Sequence, residues 1–134
     1  MIPIFLFTFL MRIIPTKKAR AQILLEEETA AGQVLLSTQV LQEFYVAVTR
    51  KLGVSLSPEK AEDVVSQLIM LPLVEINSRH ILGAIARSRK LQYSFWDALI
   101  IEAAISGGAG TLLTEDLQHG QTIGGLEIQN PFLA

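Results

Sequence analysis

Aspartate is scarce in this sequence, and its three aspartates stand in very different surroundings. Asp63 lies on the polar face of a predicted helix. Asp97 interrupts the apolar run of residues 95–101, where a carboxylate is costly to bury unless it has a partner. Asp116 follows directly after a short apolar run, residues 111–114, which is typical of a buried strand. Asp97 and Asp116 are therefore candidates for a chemical site.

A third candidate is Glu43, which stands between Leu41 and Phe44 in a predicted helix. All three acids have apolar neighbours and lie near a helix start or a strand end, so they could converge on one site built of carboxylates. Each also has an ordinary explanation. Asp97 would be a helix-terminal carboxylate favoured by the macrodipole, Glu43 a helix surface residue and Asp116 a turn residue.

The elements that must position these acids follow from hydrophobic periodicity and capping signals. Helices are predicted over residues 17–31, 38–51, 58–70, 78–90 and 95–106, and short buried strands over 34–36, 73–76, 111–114 and 126–128. Short apolar strands separated by helices cannot be joined by hairpins, so the sheet should be parallel with helices on both faces. Ligands of such sheets bind beyond the carboxyl ends of the strands, where Ser37 and residues 114–116 fall.

Two predictions concern packing. In the helix over residues 78–90, Ile81, Leu82 and Ile85 are predicted to face inward. Trp96 and Phe95 are predicted to belong to the core rather than to stack on bases; the alternative is that one of them, near the site, contacts RNA.

Composition limits the class of protein. A chain of 134 residues, 50% hydrophobic and without cysteine, predicts one domain with its own core and no disulfide or thiolate metal site. The net charge of −2 argues against holding long nucleic acid by phosphate neutralisation alone, but it is compatible with a nuclease that recruits metal.

The mean hydropathy of +0.41 indicates either a membrane segment or apolar surface for a partner. The most apolar stretch, residues 2–11, is half the ~20 residues that a spanning helix needs, so we expect a partner and a cytoplasmic location.

Four segments carry a resemblance to a known family. They are residues 37–45 (STQVLQEFY), 94–100 (SFWDALI), 113–120 (LTEDLQHG) and 130–132 (NPF). In order, spacing and flanking residues the set resembles the PIN-domain family, and within it the VapC-type toxins of bacterial toxin-antitoxin pairs. The resemblance covers about residues 17–132.

This resemblance implies an α/β fold, the three-layer α/β/α PIN-like fold with a short parallel central sheet. It also implies a metal-dependent endoribonuclease that holds Mg²⁺ or Mn²⁺ with Glu43, Asp97 and Asp116, which would be both the catalytic and the metal-binding residues. Phosphodiester cleavage requires an activated water and a neutralised phosphate, which hard cations on oxygen ligands supply. Thr114 would orient a carboxylate or water, and Glu115 would be an accessory ligand. The implied partners are an RNA substrate, a cognate antitoxin and a second copy of the chain, with no membrane.

The opening of the chain departs from the family. The family begins with a strand that ends in Asp-x-Asn, whose Asp is a central metal ligand, whereas the first 25 residues here contain no acid. Residues 1–16 are therefore atypical within the single domain of residues 1–134. One hypothesis is an out-of-frame translation of a PIN start, because an ATG-ATH codon pair for Met1 and Ile2 contains GAT, the codon for Asp. The apolar residues 2–10 can still fill the central strand position.

Loss of that Asp predicts weaker metal binding and impaired cleavage. The alternative function is accordingly a catalytically inactive PIN fold that acts as an antitoxin-binding or dimerisation module. A third is an unrelated small α/β interaction module.

For His119 a general base is conceivable, but the family mechanism needs none, and a solvated loop histidine is preferred. For the basic residues an RNA path is conceivable, but a solvated face and compensation of helix ends are preferred; they are Arg50, Lys51, Arg87, Arg89 and Lys90.

Overall fold

The computed structural model describes residues 4–6, 34–50, 56–114 and 117–130. Four helices lie in these ranges: α1 (Thr38–Arg50), α2 (Pro58–Leu68), α3 (Ser78–Leu91) and α4 (Phe95–Ser106). The strands are β1 (Ile4–Leu6), β2 (Val34–Ser37), β3 (Leu73–Val74), β4 (Thr111–Leu113), β5 (Thr122–Ile123) and β6 (Leu126–Gln129). The predicted helix over residues 17–31 lies outside the described residues. The other predicted elements are confirmed to within a few residues.

The strands form one sheet in the order β3-β2-β1-β4-β6-β5, and every pair except β5 with β6 is parallel. From β2 the chain moves outward to β3, then returns across β2 and β1 to β4. Because crossovers between parallel strands are right-handed, this reversal places α1 and α2 on one face of the sheet and α3 and α4 on the other. The α/β fold with helices on both faces is therefore confirmed. The reversal also makes the gap between β1 and β4 the point where ligands bind in such sheets.

The central strand comes from the atypical opening of the chain. Ile4 pairs with Val34 of β2 on one side and with Thr111 of β4 on the other, and Leu6 pairs with Leu113. The apolar start thus provides the strand that the sheet needs at its centre, as its composition predicts.

The last strand pair corrects the prediction that no hairpin joins the strands. β5 and β6 are antiparallel, with Ile123 opposite Leu126, and only Gly124 and Gly125 connect them. Both glycines have positive φ, 55° and 84°. Two consecutive left-handed residues form the two-residue turn that matches the twist of a hairpin, and glycine adopts them without strain.

The core lies between the sheet and the apolar sides of α1 and α4. Its fully buried side chains include Leu36, Val40, Ile100, Leu112 and Ile128. On α4, Ala98–Ile101, Ala103 and Ala104 are all buried, which explains why this helix is apolar around most of its circumference.

The prediction for the face of α3 is wrong. Ile81, Leu82 and Ile85 are exposed, Leu82 by 68%, and only Ala84 on this helix is fully buried. The physical reason is the close packing of α3 on α4, since a Cβ on Gly83 would lie 2.6 Å from Glu102 Oε1. Small residues allow this approach, and the large apolar side chains are left outside it.

Trp96 is also not a core residue. It is 61% exposed on the first turn of α4, and its ring stands edge-on to Phe95 at a centroid distance of 5.1 Å. Phe95 is half-buried and packs against Ala84, Ala98 and Leu99.

Within the described ranges, no helix is long and apolar enough to cross a bilayer.

Candidate functional site

The candidate site lies at the carboxyl edge of the parallel strands, where β2 and β4 end in buried polar residues. Ser37 is the last residue of β2, and its Oγ accepts a hydrogen bond from Val40 N at 3.2 Å, which caps the start of α1. Thr114 follows β4, and its backbone N donates to Gln129 O of β6 at 2.9 Å. Both side chains are fully buried. The carboxyl edge thus carries buried polar residues on the two strands that flank β1, as the sequence predicts.

Glu43 lies on the second turn of α1, where it is half-buried. Gln39 is one helical turn earlier, and its amide Nε2 lies 3.4 Å from Glu43 Oε1. Residues four apart on a helix are neighbours on the same face, so the two side chains meet within α1. Glu43 is therefore not a fully exposed surface residue: its carboxylate is partly enclosed and contacts a buried amide.

Asp97 lies in the first turn of α4 and is half-buried. Its backbone N donates to Ser94 Oγ at 3.1 Å, so Ser94 is the residue that caps this helix. No described residue donates a hydrogen bond to the Asp97 carboxylate. The carboxylate is favoured by the macrodipole at this position but does not itself cap the helix, and it remains able to bind another group.

Gln39 connects the two acids. The same Nε2 that contacts Glu43 lies 3.3 Å from Trp96 O, the carbonyl immediately before Asp97. Gln39 is only 3% exposed, so this contact joins α1 to the first turn of α4 in the interior. Sequence reasoning missed Gln39; the available signal was a polar residue directly before the apolar pair Val40 and Leu41 at the start of α1.

The remaining predicted site residues, Glu115 and Asp116, lie outside the described residues. Within the part of the chain that the structure describes, no three acidic or histidine side chains are grouped closely enough to hold a metal ion. Glu43 and Asp97 carry oxygen donors of the kind that Mg²⁺ and Mn²⁺ prefer, and the buried amide of Gln39 lies beside Glu43. Both residues are thus chemically suited to such a cation. Asp116 stands two residues after Thr114 in the sequence.

The sequence after the opening strand β1 lacks the Asp that the family carries at the end of this strand. Leu6 pairs with Leu113, and Thr114 follows Leu113 at the carboxyl edge. The residues that follow Leu6 in the sequence, Phe7 and Thr8, offer no carboxylate. The family's first Asp ends the corresponding strand, whereas the two residues that follow β1 in this sequence are not acidic.

The two histidines have structural partners. His119 Nδ1 accepts a hydrogen bond from Asn130 N at 3.0 Å, and Gly120 N donates to Ile128 O. These two hydrogen bonds hold residues 119–120 against the C-terminal end of β6. His119 is exposed, as predicted, but it is not simply solvated. His80 Nδ1 accepts from Asn77 N at 3.0 Å and completes the cap of α3, and its Nε2 lies 2.8 Å from Ser106 Oγ.

The basic residues do not form one path. Arg87 Nε donates to Glu102 Oε2 at 2.9 Å in an ion pair between α3 and α4. Arg50, Arg89 and Lys90 are exposed at the ends of α1 and α3, which suits compensation of the helix dipole. Lys51 lies outside the described residues.

Comparison with known proteins identifies the family. The model of the PIN domain family matches residues 8–122, most of the chain, and this protein therefore belongs to the PIN domain family. No curated protein sequence matches the chain.

Solved structures show the same fold. VapBC of Salmonella typhimurium bound to DNA is similar at 20% identity and a TM-score of 0.68, over 98% of this chain and 99% of that one. VapC20 of Mycobacterium tuberculosis, a toxin that cleaves the sarcin-ricin loop, is similar at 18% identity and a TM-score of 0.63, over 81% and 86%. The fold is thus that of the VapC-like PIN domains, as the sequence motifs indicate.

Proposed function

We propose that this protein is a metal-dependent endoribonuclease, the toxin of a VapBC-type toxin-antitoxin pair, with activity reduced by the absence of the first family Asp. The observation that carries the proposal is the contact of Gln39 with both Glu43 and the first turn of α4. In a PIN domain it holds two carboxylate-bearing helices together at the carboxyl edge of the sheet.

The proposed roles follow from these positions. Glu43 and Asp97, with Asp116, would hold Mg²⁺ or Mn²⁺. When bound, the cation lowers the pKa of a water ligand and neutralises charge on the scissile phosphate. Thr114, buried at the end of β4, would orient a carboxylate or water, and Glu115 would be an accessory ligand.

The proposed partners are an RNA substrate, a cognate antitoxin and a second copy of the chain, and the proposed location is the cytoplasm. Support for a protein partner comes from an open groove of about 830 Å³ between α1 and α2. Its walls are mainly apolar and include Leu41, Tyr45, Val46, Val65 and Ile69. Because exposed apolar surface of this kind is costly in water, the groove also favours the alternative function, an inactive PIN fold that binds an antitoxin or a second subunit.

Cleavage of an RNA panel tests the two functions. The panel includes a sarcin-ricin loop oligonucleotide, and the reactions contain Mn²⁺ with and without EDTA. The ribonuclease proposal expects cleavage that EDTA abolishes and that Asp97→Asn removes. Specific binding of a partner by a folded chain that cuts none of the RNAs, at any Mn²⁺ concentration tested, would instead support the binding module.

A further inference from the structure

The amide of Gln39 has an orientation that its surroundings determine. Its two close neighbours are Glu43 Oε1 and Trp96 O, and both of these atoms only accept hydrogen bonds. The NH₂ group must therefore face them, since the reverse orientation would set three acceptor oxygens against one another. The amide oxygen Oε1 then points to the other side.

That oxygen is buried and receives no hydrogen bond from any described residue. A buried acceptor without a donor lowers stability, because it has lost its water and gained nothing in exchange. Gln39 is 97% buried, so it cannot turn the oxygen to solvent. A residue chosen for stability alone at this position would be apolar, like its neighbours Val40 and Leu41.

We propose that Gln39 is a positioning residue of the acidic site, retained at a cost in stability. Its NH₂ group holds the Glu43 carboxylate against the start of α4, and the buried Oε1 without a donor is the cost of that arrangement. The inference deepens the proposed function and rests on it for the identity of the cation. Groups that orient a metal ligand in this way typically change metal affinity 10- to 100-fold.

The substitution Gln39→Met separates this role from a structural one. Methionine has a similar shape, but it removes both the donor to Glu43 and the buried acceptor. Trp96 O keeps the hydrogen bond of its own helix. We expect the Mn²⁺ affinity, measured by electron paramagnetic resonance of free Mn²⁺, to fall about tenfold, while the thermal midpoint of the metal-free protein stays the same or rises.

Gln42→Met is the matched control, because Gln42 lies on the exposed side of the same helix. It should leave both Mn²⁺ affinity and thermal midpoint unchanged. The double variant Gln39→Met with Glu43→Gln tests the route of the effect. If Gln39 acts through Glu43, the Mn²⁺ affinity of the double variant should equal that of Glu43→Gln alone.

The possible results distinguish failure of the proposed metal function from failure of the proposed role of Gln39. Absence of Mn²⁺ binding by the unaltered protein would contradict the proposed metal function itself. Mn²⁺ binding that Gln39→Met leaves within twofold would overturn only the role of Gln39. A large loss of thermal stability in Gln39→Met, or failure to fold, would also overturn it, since Gln39 would then serve the fold.

Discussion

Arg87 and Glu102 form a half-buried ion pair between α3 and α4, with 2.9 Å between Nε and Oε2. The pair depends on Gly83, because a Cβ at that position would lie 2.6 Å from the other carboxylate oxygen of Glu102. Gly83 thus leaves the space that Glu102 needs to reach Arg87. The same relationship keeps α3 close to α4 and pairs Arg87 with an acid on the neighbouring helix.

Gly83→Ala should therefore have different effects in two backgrounds. In the unaltered protein, displacement of Glu102 and weakening of its ion pair offset the higher helix propensity of alanine, so the free energy of unfolding should change by less than about 0.5 kcal/mol. In a Glu102→Ala background the clash is gone, and Gly83→Ala should stabilise by up to about 1 kcal/mol. Urea denaturation measures both effects. Equal effects in the two backgrounds would show that Glu102 does not occupy this space.

Close packing of this kind explains what the sequence could and could not predict. Periodicity and capping residues located the helices, as with Ser94 before α4, because these signals are local. The face of α3 was mispredicted since Ile81, Leu82 and Ile85 share a helical side, whereas the contact with α4 is made through Gly83 and Ala84. A distant partner decides which side is buried, and the sequence of α3 does not contain that information.

For the candidate site, too, the sequence could predict some residues and not others. The residue types and spacing of Glu43 and Asp97 are enough to identify them as candidates from the sequence. The role of Gln39 was not predictable, because it depends on the carbonyl of Trp96, 57 residues away in the chain. The two-glycine turn between β5 and β6 was missed for a different reason: the two-residue β5 is too short to show a strand pattern.

Ser94 should affect both stability and the candidate site. Removal of its hydroxyl in Ser94→Ala leaves Asp97 N without its hydrogen bond at the start of α4, and the expected loss is about 1 kcal/mol. Because Asp97 is in this turn, Mn²⁺ affinity should fall as well. Chemical denaturation and Mn²⁺ titration measure the two effects.

Ser57→Ala is the matched control for Ser94. Ser57 caps α2 through Lys60 N at 3.2 Å, so its loss should cost a similar amount of stability. None of the three candidate acids is on α2, so Mn²⁺ affinity should not change. Equal effects of the two substitutions on Mn²⁺ affinity would argue against a special role for the first turn of α4.

Asp97→Asn tests the acid itself. The amide keeps the shape and the capped backbone but loses the charge, so Mn²⁺ affinity and any Mn²⁺-dependent cleavage should fall about 100-fold or more. The free energy of unfolding should change by less than about 1 kcal/mol, which is the scale of the lost helix-dipole interaction. Asp63→Asn on the exposed side of α2 is the control and should alter neither cleavage nor affinity. If both variants cut RNA like the unaltered protein, Asp97 is not a ligand.

The gap between β1 and β4 allows the missing carboxylate to be restored. Leu6, the last residue of β1, pairs with Leu113, and Thr114 follows Leu113 at the carboxyl edge of the sheet. We compare Phe7→Asp with Thr8→Asp, the two positions that follow β1 in the sequence, and we expect only one of them to supply a carboxylate to Glu43 and Asp97. That variant should bind Mn²⁺ about tenfold more tightly and cut RNA faster, since one more anionic ligand is supplied. The other variant is its control for added charge. If neither variant binds Mn²⁺ more tightly or cuts RNA faster, the acidic site of this chain does not include a position next to β1. If both variants improve equally, the effect is a general electrostatic attraction of the cation by the added charge.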